Sequence, residues 1–390
     1  MGKVKGSFQS HIVSLLFITG IFFLNFLARI ILAPLMPAIE TDLSIGHGEA
    51  GSLFLFISVG YFVGLLGSGF VSSRLTHRKM IILSSMAVGG ALLAISISHS
   101  LWWIRLGLIP LGLAAGFYLP SGIATITAMV SSKDWGKAIA IHEMAPNLGY
   151  VVAPLLAEGL MIWFSWRAVI ALLGVVAVLA SVAFKRFSRG GEFPGEAPNT
   201  ETIQALVAQP SFWIMIAFFS LGMGASLGIY NMLPLYLVAE RGLERSWANT
   251  LVALSRIAGP AVALLAGWVT DQLGVKRTLG CVFMATGMVT ILLGMVKGVW
   301  LIPILFVQPM LALCFFPGGF VALSSIGPPQ VRNVTVSITA PAGFFLGGGA
   351  IPAGIGVMGE AGFFSLGIIL VGVSLIGSII LLRYLEFHNV

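Results

Sequence analysis

Residues 267–277 read Gly267-Trp268-Val269-Thr270-Asp271-Gln272-Leu273-Gly274-Val275-Lys276-Arg277, and residues 69–79 read Gly69-Phe70-Val71-Ser72-Ser73-Arg74-Leu75-Thr76-His77-Arg78-Lys79. Both stretches open on glycine, close on a basic pair and join two apolar runs, 49–72 to 79–98 in the earlier copy and 246–270 to 278–296 in the later one. Other pairs keep the same order at an offset near 197 residues: Phe117-Tyr118-Leu119-Pro120-Ser121-Gly122 with Phe315-Phe316-Pro317-Gly318-Gly319, Ala145-Pro146 with Ala340-Pro341, and Pro37 with Pro234. Four anchors in one order mark an internal duplication.

Outward from these loops the chain divides into twelve apolar runs, near 12–35, 49–72, 79–98, 101–131, 138–163, 166–185, 211–238, 246–270, 278–296, 299–325, 334–358 and 361–383. Each is long enough for a helix crossing the roughly 30 Å hydrocarbon core, which takes about 20 apolar residues. The composition agrees: 58% of the 390 residues are hydrophobic and 9% charged, against about 25% charged in a soluble domain. No length is left for a sizeable soluble domain. The first run is longer than a signal-peptide core and no small-residue cleavage site follows, so it reads as a retained helix.

The net charge of +7 comes from basic residues scattered singly between apolar runs, which is not the continuous patch that nucleic acid requires. They read as topology signals. Placing the N-terminus in the cytoplasm puts Lys3, Lys5, Arg74, Arg78, Lys79, Lys133, Lys137, Lys185, Arg186, Arg189, Lys276, Arg277, Arg332 and Arg383 inside, and leaves outside Arg241, Arg245 and Lys297, with Arg105 and Arg167 near that boundary. Lys and Arg bias sets orientation, so both termini are expected in the cytoplasm, in the inner membrane of a bacterium. Cys281 and Cys314 lie inside apolar runs and suggest neither a disulfide framework nor a metal site.

The expected fold is an all-α membrane protein of twelve transmembrane helices in two pseudo-symmetric six-helix bundles. Residues 1–186 form the N-terminal bundle, 187–210 a polar cytoplasmic linker and 211–390 the C-terminal bundle. With an even number of crossings in each half, the repeats are parallel and related by an axis along the membrane normal. This arrangement is a transporter signature, with the solute site expected near mid-membrane between the halves.

The glycine–acidic–glycine–basic loop in a 6+6 layout resembles the major facilitator superfamily over nearly the whole chain. Gly267, Asp271, Gly274, Lys276 and Arg277 match its loop motif completely, whereas the first copy has Ser73 at the acidic position and Thr76 at the second glycine. The family commonly carries an Arg twelve residues before the proline equivalent to Pro120; Leu108 stands there, with Arg105 one turn outward. The Arg29 to Pro37 spacing, Gly60-Tyr61, and Leu233-Pro234-Leu235-Tyr236-Leu237-Val238-Ala239-Glu240-Arg241-Gly242-Leu243 are similar to the anion:cation symporter and organophosphate antiporter branches. Those branches often add a charge in the seventh helix, where Ser226 and Leu227 are neutral here. The resemblance implies alternating-access transport of a small organic anion by a monomer, with Arg29 at the family's anion site.

An ionisable side chain at the centre of a membrane helix costs about 2.5–3.5 kcal/mol on insertion scales, so it faces protein or a wet cavity. Arg256 falls about 15 Å from the outer end of the eighth helix, in line with Asn249, Ala253, Pro260, Ala263 and Gly267, a small or polar stripe. Arg29 has Asn25 one turn below and Ala33 one turn above. Two guanidinium forks suit a carboxylate or phosphate; the alternatives for each are a structural ion pair or a side chain snorkelling to the interface. In the fifth helix, Glu143 shares a face with Asn147, Tyr150 and Pro154, and His142 with Pro146, Gly149 and Ala153. Glu143 is therefore expected at the cavity and His142 at a helix contact, together forming the proton-coupling candidate, against a static salt bridge. Tyr118, Ser121 and Thr125 make a polar stripe on the fourth helix, and Gln308 sits inside the tenth. The solute set is thus Arg29, Arg256, Asn25, Tyr118, Ser121, Asn147 and Gln308. The loop charges Arg74, Arg78, Asp271 and Arg277 are expected to gate the cytoplasmic side. Glu158 and Arg167 read as an external latch or as solvated boundary residues.

Enzyme chemistry lacks its motifs. His142-Glu143-Met144-Ala145-Pro146 places proline where a zinc-protease helix needs its second histidine, and Gly343, Gly347, Gly348 and Gly349 lack the strand and Gly-Lys-Ser/Thr of a phosphate loop. Neither cofactor nor metal is expected. The leading reading is an organic anion:proton symporter in the lipid bilayer, a carboxylate being the favoured solute. Anion exchange and export of amphipathic drugs are the alternatives, and a sensor without flux would carry the same sequence features.

Overall fold

A computed structural model of the chain describes residues 8–195, 206–326 and 332–387, and every named element among them is helical. In the first half α1 comprises Phe8–Ile30 and Leu32–Leu43, α2 His47–Ser72, α3 His77–Ser96, α4 Leu101–Gly116 and Tyr118–Met129, α5 Trp135–Met161 and α6 Trp166–Phe187. In the second half α7 comprises Pro210–Met223, a π-helical stretch Gly224–Gly228 and Ile229–Ala239; α8 comprises Arg245–Ser255 and Gly259–Leu273. Then follow α9 at Val275–Met295, α10 at Leu301–Leu313 and Phe315–Ser324, α11 at Arg332–Phe345, a π-helical stretch Leu346–Ala350 and Ile351–Glu360, and α12 at Phe364–Ser378. This is the twelve-helix membrane architecture. Ten of the helices are long and apolar enough by themselves to cross a bilayer. The other two differ for visible reasons: α5 carries Lys137, His142, Glu143, Asn147 and Glu158, and α8 is divided into pieces of 11 and 15 residues.

The breaks follow the prolines. Proline has no N–H to donate and its ring collides with the carbonyl four residues earlier. The helix accordingly turns at Ile31 ahead of Pro34, at Phe117 ahead of Pro120, at residues 256–258 ahead of Pro260, and at Cys314 ahead of Pro317. At the third break the Arg256 carbonyl accepts from Gly259 N at 3.1 Å in place of the missing proline donor. The π-helical stretches solve a related problem, since one extra residue per turn widens the backbone ring and Ile229 N and Ile351 N reach back five residues to the Gly224 and Leu346 carbonyls. Capping is local elsewhere: the Glu244 carboxylate accepts from Ser246 N at 2.9 Å and Trp247 N at 3.0 Å to start α8.

The described residues gather into two compact units, one running to Leu32 and resuming at Val59, the other holding Ala33–Ser58 with the second-half helices. The core of the first collects Ile18, Ile21, Phe22, Ile81, Tyr118, Ile126, Ala145 and Phe184. Within the second, Asn249 Nδ2 donates to Pro34 O at 3.1 Å and Gly48 N to Glu360 Oε2 at 2.9 Å. Ala33–Ser58 is therefore bonded to α8 and α11, far from it in sequence.

The duplication is visible in atomic detail where α3 crosses α6 and α9 crosses α12. A methyl group on Gly89 would lie 2.6 Å from Gly174 O, and one on Gly287 would lie 2.8 Å from Gly372 O. Both glycine pairs keep the spacing of the loop repeat. Small residues let backbones touch, and in a membrane that packing replaces the hydrophobic drive. Gly89→Ala and Gly287→Ala should each destabilise the purified protein by about 1–3 kcal/mol, read as a lower thermal midpoint in detergent. Gly90→Ala, where an added methyl meets nothing within 4 Å, is the control and should not lower it.

Candidate solute and proton sites

Arg29 lies in the last turn of the first segment of α1, two residues before the turn at Ile31. A cation suits that helix end because the last carbonyls carry partial negative charge. Its side chain is buried, with the guanidinium carbon 4.0 Å from the centre of the Tyr61 ring and 5.1 Å from that of Phe26. A desolvated cation over an aromatic face is held by about 2 kcal/mol, so Tyr61 from α2 fixes the plane of the fork. Asn25 points elsewhere: its Nδ2 donates to Ser84 Oγ at 3.2 Å and Ala115 O at 3.4 Å, tying α1 to α3 and α4.

The same unit assembles α4 and α5 around His142, whose side chain is wholly buried. Tyr118 Oη donates to Ile18 O at 2.6 Å and lies 3.1 Å from His142 Nε2, while His142 Nδ1 lies 3.1 Å from Glu143 Oε1. Phe22 stacks on the imidazole at 4.3 Å with an interplanar angle of 6°. The Glu143 side chain is 48% exposed, and Tyr61 and Tyr118 lie within electrostatic range of its carboxyl group. Thus Arg29, Tyr61, Glu143, His142 and Tyr118 form one electrostatic neighbourhood. Ser121 sits one turn along α4, where its hydroxyl meets His77 Nδ1 at 3.1 Å and its carbonyl accepts from Thr125 Oγ1 at 2.7 Å. Asn147 Nδ2 donates to the Glu143 carbonyl at 2.9 Å, an ordinary helical back-bond.

In the second unit the π-helical stretch of α7 organises the polar groups. Its carbonyls depart from the α-helical ladder and are taken up by side chains: Gln308 Nε2 from α10 donates to Ala225 O at 3.0 Å, and one guanidinium nitrogen of Arg256 donates to Ser226 O at 2.8 Å. Gln308 Nε2 also reaches Thr290 Oγ1 at 3.2 Å. Arg256 is buried, 5.1 Å above the Tyr230 ring, and its other terminal nitrogen approaches Ser226 Oγ at 3.5 Å. It is the residue at which α8 breaks, so the stripe expected along an unbroken helix does not continue past it. Asn249 and Ala253 are buried before the break, but afterwards Ala266 and Thr270 take the buried face and Ala263 and Gly267 are half-buried. The cause is the loss of helical phase at residues 256–258.

The two loop motifs differ in their surroundings. Arg78 donates to Ser188 O at 2.7 Å and Lys185 O at 2.9 Å, capping the end of α6. The chain beyond α6 doubles back as a strap: Gly191 O accepts from Arg78 N at 2.7 Å, Phe193 O from His77 N at 3.0 Å, and Gly195 N donates to Ser72 O at 2.8 Å. Ser73, at the position where the family motif is acidic, bonds its own helix through Phe70 O at 2.8 Å. Backbone carbonyls of the strap and of α6 thus do for Arg78 what a carboxylate does elsewhere. Arg74, Asp271 and Arg277 are exposed. Reading by sequence missed this strap, although Gly190-Gly191 was the available signal; it also missed Ser226 and Tyr230 as partners of Arg256.

The family model of the Major Facilitator Superfamily matches residues 18–352 of this chain. Among curated proteins, the chain is 24% identical over 309 residues to the membrane sensor protein UhpC of Salmonella typhimurium, spanning 73% of this chain and 69% of that one. It is 24% identical over 281 residues to the probable nitrate/nitrite transporter NarK2 of Mycobacterium tuberculosis, spanning 70% and 69%. Among solved structures, the inward-facing, occupied form of a bacterial homolog of the human lysosomal transporter Spinster superimposes with a TM-score of 0.84 over 97% of both chains at 16% identity, a likeness of fold.

The strap depends on Gly191, whose φ of +77° lies in the left-handed region and where a methyl group would sit 2.9 Å from Arg78 N and 2.7 Å from Thr125 Oγ1. Left-handed backbone costs a residue with a Cβ about 1–2 kcal/mol before any collision. Gly191→Ala should undock the strap, seen as faster hydrogen exchange at the Arg78 amide. Gly136→Ala, with nothing within 4 Å, should leave that amide protected.

Proposed function

Since the chain belongs to the major facilitator superfamily, we propose that this multi-pass membrane protein is a secondary transporter that moves a small organic anion, a carboxylate in the leading case, by alternating access coupled to protons. The observation that supports the reading is the buried arginine in each unit, its guanidinium carbon lying over a tyrosine ring: Arg29 with Tyr61 and Arg256 with Tyr230. Burying a cation in a membrane protein is costly, and a guanidinium fork matches the geometry of a carboxylate or phosphate. Nitrate and nitrite, named for one relative, are anions as well. In this reading Arg29 and Arg256 each bind the anion during the cycle, with Tyr118, Ser121 and Gln308 positioning backbone and side chains around them. Glu143 and His142 carry the coupling proton, and Arg78 with Asp271 and Arg277 controls the cytoplasmic side. The halves 1–186 and 211–390 are joined by the cytoplasmic linker 187–210, both termini face the cytoplasm of a bacterial inner membrane, and the working unit is a monomer.

One specific observation favours a second reading, that of a solute sensor: the relative UhpC is named a membrane sensor protein. A sensor and a carrier share the same binding residues and differ in flux.

A thermal-shift screen of small carboxylates and phosphates on the purified protein tests the anion assignment. A stabilising carboxylate should lose its effect in Arg29→Ala and in Arg256→Ala, because one charge-assisted hydrogen bond is worth about 1.5–3 kcal/mol, or roughly 10- to 100-fold in affinity. Stabilisation retained in both variants would remove the assignment. Counterflow of the same solute in proteoliposomes should be seen for a carrier; binding without counterflow would favour the sensor.

A further inference from the structure

The contacts around His142 determine where its hydrogens are. Ile18 O is a carbonyl and can only accept, so the Tyr118 hydroxyl, 2.6 Å away, places its single hydrogen there. The reverse assignment would press two oxygen lone pairs together at that distance. Tyr118 Oη then faces His142 Nε2 at 3.1 Å with a lone pair only, so Nε2 carries a hydrogen and donates it. The remaining ring nitrogen, Nδ1, lies 3.1 Å from Glu143 Oε1. In a neutral imidazole with its hydrogen on Nε2, Nδ1 presents a lone pair, and a carboxylate oxygen presents another. The contact is attractive only when one further proton lies between them.

We infer that His142 and Glu143 share one dissociable proton in the gap between Nδ1 and Oε1, and that Tyr118 is the positioning residue that requires it there by holding Nε2–H. The inference rests on the proton-coupling reading above for its role in transport, but not for its chemistry. The same proton is written either as a carboxylic acid donating to Nδ1 or as an imidazolium donating to a carboxylate. Moving between the two breaks the O–H bond as the N–H bond forms and leaves the total charge unchanged. Leaving the pair takes the proton to solvent and the total charge from zero to −1. The imidazole is fully buried against Phe22, whereas the Glu143 side chain is 48% exposed, so Glu143 is the exit and His142 the reservoir. The ionisable groups around the pair are Tyr118 on α4 and Tyr61 on α2, both within the field of Glu143, and Arg29 on α1, which acts on Tyr61. An anion arriving at Arg29 would alter the field at Glu143 through this neighbourhood. That gives solute and proton a shared physical basis for coupling.

The test uses full-length protein with 15N-labelled histidine, the His142 signals being assigned by their loss in His142→Gln. The expected spectrum has Nε2 protonated throughout, either as the neutral Nε2–H tautomer or as imidazolium, and a neutral Nδ1–H tautomer would overturn the inference. Tyr118→Phe keeps the ring stack and removes the acceptor at Nε2. It should allow the Nδ1–H tautomer to appear and should displace the pH profile of uptake in proteoliposomes, while a wild-type gel-filtration profile and helical circular dichroism report that the variant is folded. An unchanged tautomer and pH profile in that variant would refute the role of Tyr118. Glu143→Gln, whose amide can donate to Nδ1 but cannot release a proton, should lose accumulation driven by a pH gradient while keeping a wild-type gel-filtration profile. Failure of the coupling reading is separable: an Nε2–H spectrum in a protein whose wild type shows no pH-driven accumulation supports the shared proton and removes only its role in transport.

Discussion

In hydrocarbon every backbone N–H and C=O must find a partner within the protein, because an unsatisfied group there costs several kcal/mol. This chain interrupts its own ladders often, with prolines in α1, α4, α8 and α10 and π-helical stretches in α7 and α11. Each interruption calls on a polar side chain or an adjusted backbone turn. Gln308 and Arg256 serve the freed carbonyls of α7, and Asn231 Nδ2 serves Gly348 O in α11 at 3.0 Å. These buried polar side chains sit where regular helix fails.

That placement gives Arg256 a structural role: its bonds to Ser226 hold the group at the break in α8. Arg29 is placed differently, by the end of a helix segment and by two aromatic rings. In both cases an aromatic ring faces the guanidinium, Tyr61 for Arg29 and Tyr230 for Arg256, and Arg256 also donates to the Ser226 carbonyl.

The first unit shows how polar contacts link the strap beyond α6 to its interior. The strap beyond α6 grips His77 and Arg78, His77 meets Ser121, and Tyr118 one turn away on α4 meets the His142–Glu143 pair. The strap and the His142–Glu143 pair thus both contact α4, the first by way of His77 and Ser121 and the second by way of Tyr118.

What the sequence determined by itself follows from period and composition. Runs of about twenty apolar residues, the repeat of Gly267–Arg277 at Gly69–Lys79, and the loop motif were enough for the membrane architecture and the family, because the bilayer leaves a long apolar segment almost no alternative to a helix. The isolated charges Arg29, Glu143 and Arg256 could likewise be singled out, since a charge in such a run must have a reason. What each of them touches was decided only by the tertiary structure. Tyr61 and Arg29, or Ser226 and Arg256, come from different helices whose rotation depends on packing, and the break at residues 256–258 shifts the phase on which a sequence-based face is counted. The grouping of Ala33–Ser58 with α8 and α11 likewise rests on contacts such as Asn249 to Pro34 and Gly48 to Glu360, which local periodicity does not encode because the partners lie hundreds of residues apart.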